Sequence, residues 1–166
     1  IDTKLNENKL EYVQTTLSNA EIIEGMPAED YNYDYIIVKF KEELRLIITL
    51  EDIKSESYEE LENKLLEIIT NVYAKKMEMA APEQKSEIER ILYLQILDNA
   101  WREHLYSMDT LKTGIGLRGY NQKDPLVEYK KESYNMFIEL ISNIKHEIIK
   151  VLFTIQLQNE ADAKKE

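Results

Sequence analysis

The residues of this 166-residue chain that could carry chemistry are few. There is no cysteine, which excludes a disulfide scaffold and a thiolate metal site and fits a reducing compartment. His104 and His146 are the two histidines. A di-metal carboxylate bundle needs Glu-x-x-His on inward faces. The residues three before the histidines are Trp101 and Asn143, so neither completes that motif. "HEIIK", from His146 to Lys150, opens like the zinc-protease HExxH and ends in lysine, which removes the second metal ligand. Neither histidine has a nucleophile context, and His104, one residue from the apolar Leu105 position, reads as a packed or interface side chain. No GxxxxGK[ST] phosphate loop occurs. Gly114, Gly116 and Gly119 are spaced G-x-G-x-x-G, but a dinucleotide loop must follow a strand and open a helix, and this one follows a helical pattern. The sequence therefore offers no catalytic residue, no metal site and no nucleotide cofactor site.

Charge gives a second signal. The formal net charge is −11, which argues against nucleic acid as a partner. From Lys112 to Lys131 there are five positives (Lys112, Arg118, Lys123, Lys130, Lys131) against two negatives (Asp124, Glu128); this +3 island leaves −14 elsewhere. At its centre is "GLRGYNQKDP", residues 116 to 125. Tyr120 lies there on no periodic face, and from physics alone a ring packed on its own stem and a ring turned outward are evenly balanced.

The elements around that loop read as all-α. Four glycines, three prolines and abundant Glu, Lys, Leu and Ile favour helix. A first helix is predicted over Asp2–Ile23, with Leu10, Val13, Leu17 and Ala20 on one face and Gly25 and Pro27 as its stop. A second is predicted over Glu29–Leu44 on Tyr33, Ile36, Ile37, Phe40 and Leu44. "RLIITLEDI", 45–53, has no helical period and reads as extended or irregular and buried. Ser57 and Glu60 form a capping-box pattern before a helix reaching about Met79. Tyrosines 12, 31, 33, 35, 58 and 73 suit half-buried positions in this part.

Pro82 opens the next helix, in which Ile91, Leu94, Leu97, Trp101, Leu105, Met108 and Leu111 recur at three- and four-residue steps; Trp101 reads as core. Gly114 is predicted to end it in the left-handed cap position. Asp124 and Pro125 begin a last helix with the face Val127, Tyr134, Phe137, Ile141, Ile144, Ile148, Leu152 and Ile155. The expected architecture is a small N-terminal helical subdomain, 1–80, then a long antiparallel helical hairpin, 81–157, then a polar tail, 158–166. The chain starts at Ile1 rather than methionine, which fits an excised piece of a longer protein, and it has no signal-peptide pattern or membrane-length apolar run.

The stretch from Leu97 to Phe137, "LDNAWREHLYSMDTLKTGIGLRGYNQKDPLVEYKKESYNMF", resembles the C-terminal region of the SecA family of bacterial protein-translocation motors. The matching positions are Leu97, Asp98, Trp101–Leu105, Met108, Asp109 and Leu111, then Gly114, Ile115, Leu117–Tyr120 and Gln122–Pro125, then Glu128–Lys130, Glu132, Ser133, Met136 and Phe137. The resemblance covers 88–156 well, and the first 87 residues by position and helical character.

It implies a helical wing domain over 1–80, and a two-helix finger with the end of the helical scaffold over 81–157. It places Tyr120 against the polypeptide being moved, and Leu117, Arg118, Gly119, Asn121, Gln122 and Lys123 in a tip loop (114–124) at the mouth of the SecY channel. The implied partners are unfolded preprotein, SecY, the motor domains of the parent chain, whose ATPase the hairpin restrains, and an anionic membrane surface. ATP and Mg²⁺ belong to those motor domains, and the implied location is cytoplasmic, peripheral on the inner membrane. Gly116 stands where the family commonly has histidine and Asn121 where it commonly has alanine, which bears on tip rigidity rather than tip identity. The competing expectation is a stand-alone helical scaffold that dimerises through its hairpin face.

Overall fold

Helix starts are set by local chemistry. Ser57 accepts a hydrogen bond from the Glu60 amide at 3.2 Å, while the Glu60 carboxylate accepts from the Glu56 amide at 3.0 Å, so the capping pair works one residue out of the usual register. Pro82 occupies a first-turn position where its missing N–H costs nothing, and the Gln84 side chain accepts from Ala81 N. Asp124 accepts from Leu126 N at 3.0 Å with Pro125 at the first helical position.

The computed structural model describes residues 2–118 and 124–155. It contains helices α1 (Asp2–Asn19), α2 (Tyr33–Leu44), α3 (Leu50–Ile53), α4 (Tyr58–Met77), α5 (Pro82–Arg118) and α6 (Pro125–Thr154), with a 3-10 turn at Ala28–Asp30. No strand occurs among the described residues. The all-α reading holds.

Several boundaries differ from the sequence reading. α1 stops at Asn19 rather than Ile23, because Ala20 N and Ile22 N close back on Thr16 O and Leu17 O around Glu21, which takes a left-handed φ of 60°. The expected second helix begins at Tyr33, capped by Asn32; the preceding residues form only the 3-10 turn. It ends at left-handed Arg45, with Leu46 N donating to Phe40 O at 3.1 Å. The 45–53 run is irregular only to Thr49 and then makes α3; Ile48 and Ile53 are buried, but Ile47 and Leu50 face solvent.

The largest difference is at Gly114. It does not stop α5, which runs through Gly114 and Gly116 to Arg118, and among the described glycines only Gly25 has positive φ. Buried Leu111 and Ile115, one turn apart, keep the helix seated past the point where its periodic pattern fades.

α5 and α6 run antiparallel: residues 92–103 face 143–151, and 100–107 face 136–143. At 1.5 Å per residue they are about 55 and 45 Å long. One hydrophobic core joins Leu17 of α1, Phe40 of α2, and Leu61, Leu65 and Ile69 of α4 to Ile148, Ile149 and Leu152 at the base of α6. α1, α2 and α4 thus clasp only the base of the hairpin, and its distal half extends beyond them.

Candidate functional site at the hairpin

The structure describes both flanks of the expected tip. On the α5 side, Leu111 and Ile115 are buried while Leu117 is 68% exposed. On the α6 side, the Asp124 cap and Pro125 fix the first turn. Of the tip residues expected from the sequence, Leu117 lies on α5 and Arg118 closes it; Gly119, Tyr120, Asn121, Gln122 and Lys123 lie outside the described residues.

Along the arms, aromatic rings link the two helices. His104 lies 5.4 Å from the Trp101 ring and 6.4 Å, edge-on, from Phe137 of α6. This is the packed histidine expected from the sequence, and it rests on a face that is open. Trp101 is 50% exposed, and Ile91, Leu94, Leu97 and Leu105 on α5 and Val127, Tyr134, Phe137 and Ile141 on α6 also face solvent. The expected core stripe is therefore core only at Leu111 on α5 and at Ile144, Ile148 and Leu152 on α6. The reason is geometric: α1, α2 and α4 reach only the base. On another side of the hairpin, a groove of about 420 Å³ has a floor of Ile96, Ala100 and Ile144 and a rim that includes Glu103 and Glu147.

The base is held by polar contacts that bury charge. The Tyr73 hydroxyl on α4 donates to Glu89 Oε1 on α5 at 2.5 Å, and Glu89 is 1% exposed. Lys85 lies 3.8 Å from the same carboxylate, and buried Lys9 of α1 stands 4.4 Å over the Tyr73 ring. Asn8 donates to the Tyr93 hydroxyl at 2.7 Å. On α6, Lys145 pairs with Glu11 of α1 at 2.7 Å. His146 stacks on Tyr12 and approaches Glu43 Oε2 at 3.0 Å, and Tyr12 donates to that same oxygen at 2.6 Å. Lys76, in the last turn of α4, donates to the carbonyls of Leu152 and Phe153, capping the end of α6. Burial lowers the Lys76 ammonium's pKa, helped by nearby Arg45.

These contacts place two phenols where ionisation is penalised. Burial, then the bond to the Glu43 carboxylate, raises Tyr12 above the ordinary tyrosine value; burial, then the Glu89 charge, raises Tyr93. A group raised in the folded state stabilises it fully below its unfolded pKa, near 10 for tyrosine, and loses that contribution as pH rises further. The urea midpoint is therefore expected to be flat with respect to these groups from about pH 8 to 9.5 and to fall above about pH 10. Tyr12→Phe should flatten the alkaline fall, and an unchanged slope in that variant excludes Tyr12 as its source.

Among the described residues no group of three or more His, Asp or Glu side chains is placed to hold a metal ion. No helix among the described residues is long and apolar enough to cross a membrane. What the site offers is a long two-helix lever clasped at one end. The family model described as the SecA Wing and Scaffold domain matches residues 1–156. The chain belongs to that SecA family. It is 68% identical over all 166 residues to the protein translocase subunit SecA of Aliarcobacter butzleri, covering 19% of that protein. It is 54% identical over 162 residues to that of a Nitratiruptor species, covering 98% of this chain and 19% of that protein. It is 53% identical over 156 residues to that of a Sulfurovum species, covering 94% of this chain and 18% of that protein. The chain thus spans about a fifth of the length of these SecA relatives. The match reaches back to residue 1, well beyond the motif-bearing segment 88–156, so the wing and scaffold description applies to α1–α4 as well.

The residues that sequence reasoning missed are those at the base. Glu89, Lys9, Asn8, Lys76 and Glu43 gave no motif, because the contacts by which they join different helices span long sequence gaps: Asn8 and Tyr93 are 85 residues apart, and Lys76 and Leu152 are 76 apart. The only available signal was a glutamate, Glu89, standing beside the apolar positions of α5.

Proposed function

We propose that this chain is the part of a protein-translocation ATPase that carries motion to the moving polypeptide. Residues 1–80 are its wing, 81–157 its two-helix finger with the end of the scaffold, and 158–166 the start of a linker. ATP and Mg²⁺ act in motor domains elsewhere in the parent protein, whose ATPase the hairpin restrains. Tyr120 contacts extended preprotein through its ring face and hydroxyl, which suits many sequences. Leu117, Arg118, Gly119, Asn121, Gln122 and Lys123 meet the SecY channel mouth and the anionic membrane surface, so that the parent works from the cytoplasm, peripheral on the inner membrane.

The observation that carries this reading is the clasp at one end only. Packed helices move nearly as rigid bodies, so a small rotation of the base becomes a larger displacement about 50 Å away at the tip. The translocase names of the relatives supply the direction of the inference. The test is a photo-crosslinking amino acid at position 120 of the full-length protein with a stalled preprotein. Capture at 120 and none at Asn99, on the stem, is expected; capture on the stem with none at 120 rejects the assignment.

A further inference from the structure

Glycine inside a helix usually has a reason: a turn, a positive φ, or a neighbour that leaves no room for a Cβ. At Gly114 and Gly116 none of these holds. Both are helical, neither has positive φ, and a Cβ built on either meets nothing within 4 Å. What both glycines do is weaken the helix, each by about four- to fivefold in helical population relative to alanine. Their neighbours act in the same direction. Thr110 and Thr113 are poor helix formers whose hydroxyls bond back to Tyr106 O and Asp109 O, at 3.2 and 3.1 Å. Opposing them, Leu111 and Ile115 are buried. From Gly114 to Leu117 the one seated side chain is Ile115, at 6% exposure, because Leu117 faces solvent. The other arm is built the opposite way, starting on a bonded Asp124 cap and Pro125.

We propose that residues 113–118 are a helix–coil switch: the last turns of α5 are held by Ile115, weakened by Gly114 and Gly116, and unwind to lengthen the tip while the α6 arm stays fixed. Six residues span about 9 Å as helix and about 20 Å when extended, so unwinding adds roughly 10 Å of chain between the arms, of which at most about 5 Å is reach because the chain must return to Pro125. The length of the finger is then a two-state variable set by the chain itself. The inference concerns the helix alone and does not depend on what the tip touches.

Hydrogen exchange by mass spectrometry on the full-length protein tests it, comparing peptides that cover 113–118 with peptides that cover 100–108. In the wild type the terminal segment should exchange far faster than 100–108. The double variant G114A/G116A, which the open space at both positions accommodates, should slow exchange in 113–118 about 15- to 30-fold and leave 100–108 unchanged. Ile115→Ala should shift the same amides in the opposite direction. Wild-type protection of 113–118 equal to that of 100–108, or a double variant with unaltered exchange, overturns the proposal.

Discussion

Glu89→Ala is expected to lower the unfolding free energy of this chain by about 3–5 kcal/mol, an effect on the scale of losing one partner of a buried charged pair. Glu89 is 1% exposed and sits where three elements meet. Its carboxylate accepts a hydrogen bond from the Tyr73 hydroxyl at 2.5 Å and faces Lys85 at 3.8 Å, while the Lys9 ammonium lies 4.4 Å over the Tyr73 ring. Removing the carboxylate takes away the buried acceptor that the Tyr73 hydroxyl uses and the charge that faces Lys85, and desolvated polar groups are costly when a partner is removed. Glu89→Gln keeps an acceptor for Tyr73 and gives up only the charge, so its cost should be less than about half that of alanine. Urea denaturation of the two variants side by side measures this. Equal losses from Gln and Ala mean that charge, not the hydrogen bond to Tyr73, holds the joint. A loss under about 1 kcal/mol from Ala means that the joint rests on apolar packing alone.

The second large effect is a contrast between two apolar residues. Leu152→Ala removes a fully buried side chain at the base of α6 and should cost about 2–5 kcal/mol. Trp101→Ala removes a bigger side chain, yet Trp101 is 50% exposed and loses little that water does not replace. In this chain it should cost no more than about 1.5 kcal/mol, within the range of partial burial and of the contact with His104. Thermal or urea unfolding of both variants checks the ranking. A Trp101→Ala loss matching that of Leu152→Ala shows that the stripe Leu94–Trp101–Leu105 is covered in solution, by self-association or otherwise.

That contrast also shows which features were legible in the sequence. Caps were, since they are local: Ser57, Pro82 and Asp124–Pro125 open the helices expected of them. So were the faces of the clasp helices, where Leu17, Phe40, Leu61 and Leu65 are all buried at the expected spacing. Helical periodicity reports that a face is apolar and says nothing of what lies over it, so Trp101 and Ile91 read like Leu152. Helix ends were also hard to place. Glu21 and Arg45 take left-handed conformations without being glycine, whereas Gly114 and Gly116, which signal an end, lie within α5. The polar joint escaped notice because it is assembled from α1, α4 and α5. The basic tip, expected from charge and turn chemistry, falls on residues 119–123 outside the described ones, and the structure describes its two flanks, Leu117–Arg118 and Asp124–Pro125.

The lysine that caps α6 has a mechanical meaning. Lys76 holds the Leu152 and Phe153 carbonyls from the last turn of α4, just before the turn that leads into α5. The place where the chain leaves α6 and the place where it enters the hairpin are therefore fastened to the same turn of helix. A pull applied beyond Ile155 is taken up by α4 and passes into the clasp before it reaches the shaft. Tension from that side therefore also loads the two hydrogen bonds that one ammonium makes to the carbonyls of Leu152 and Phe153.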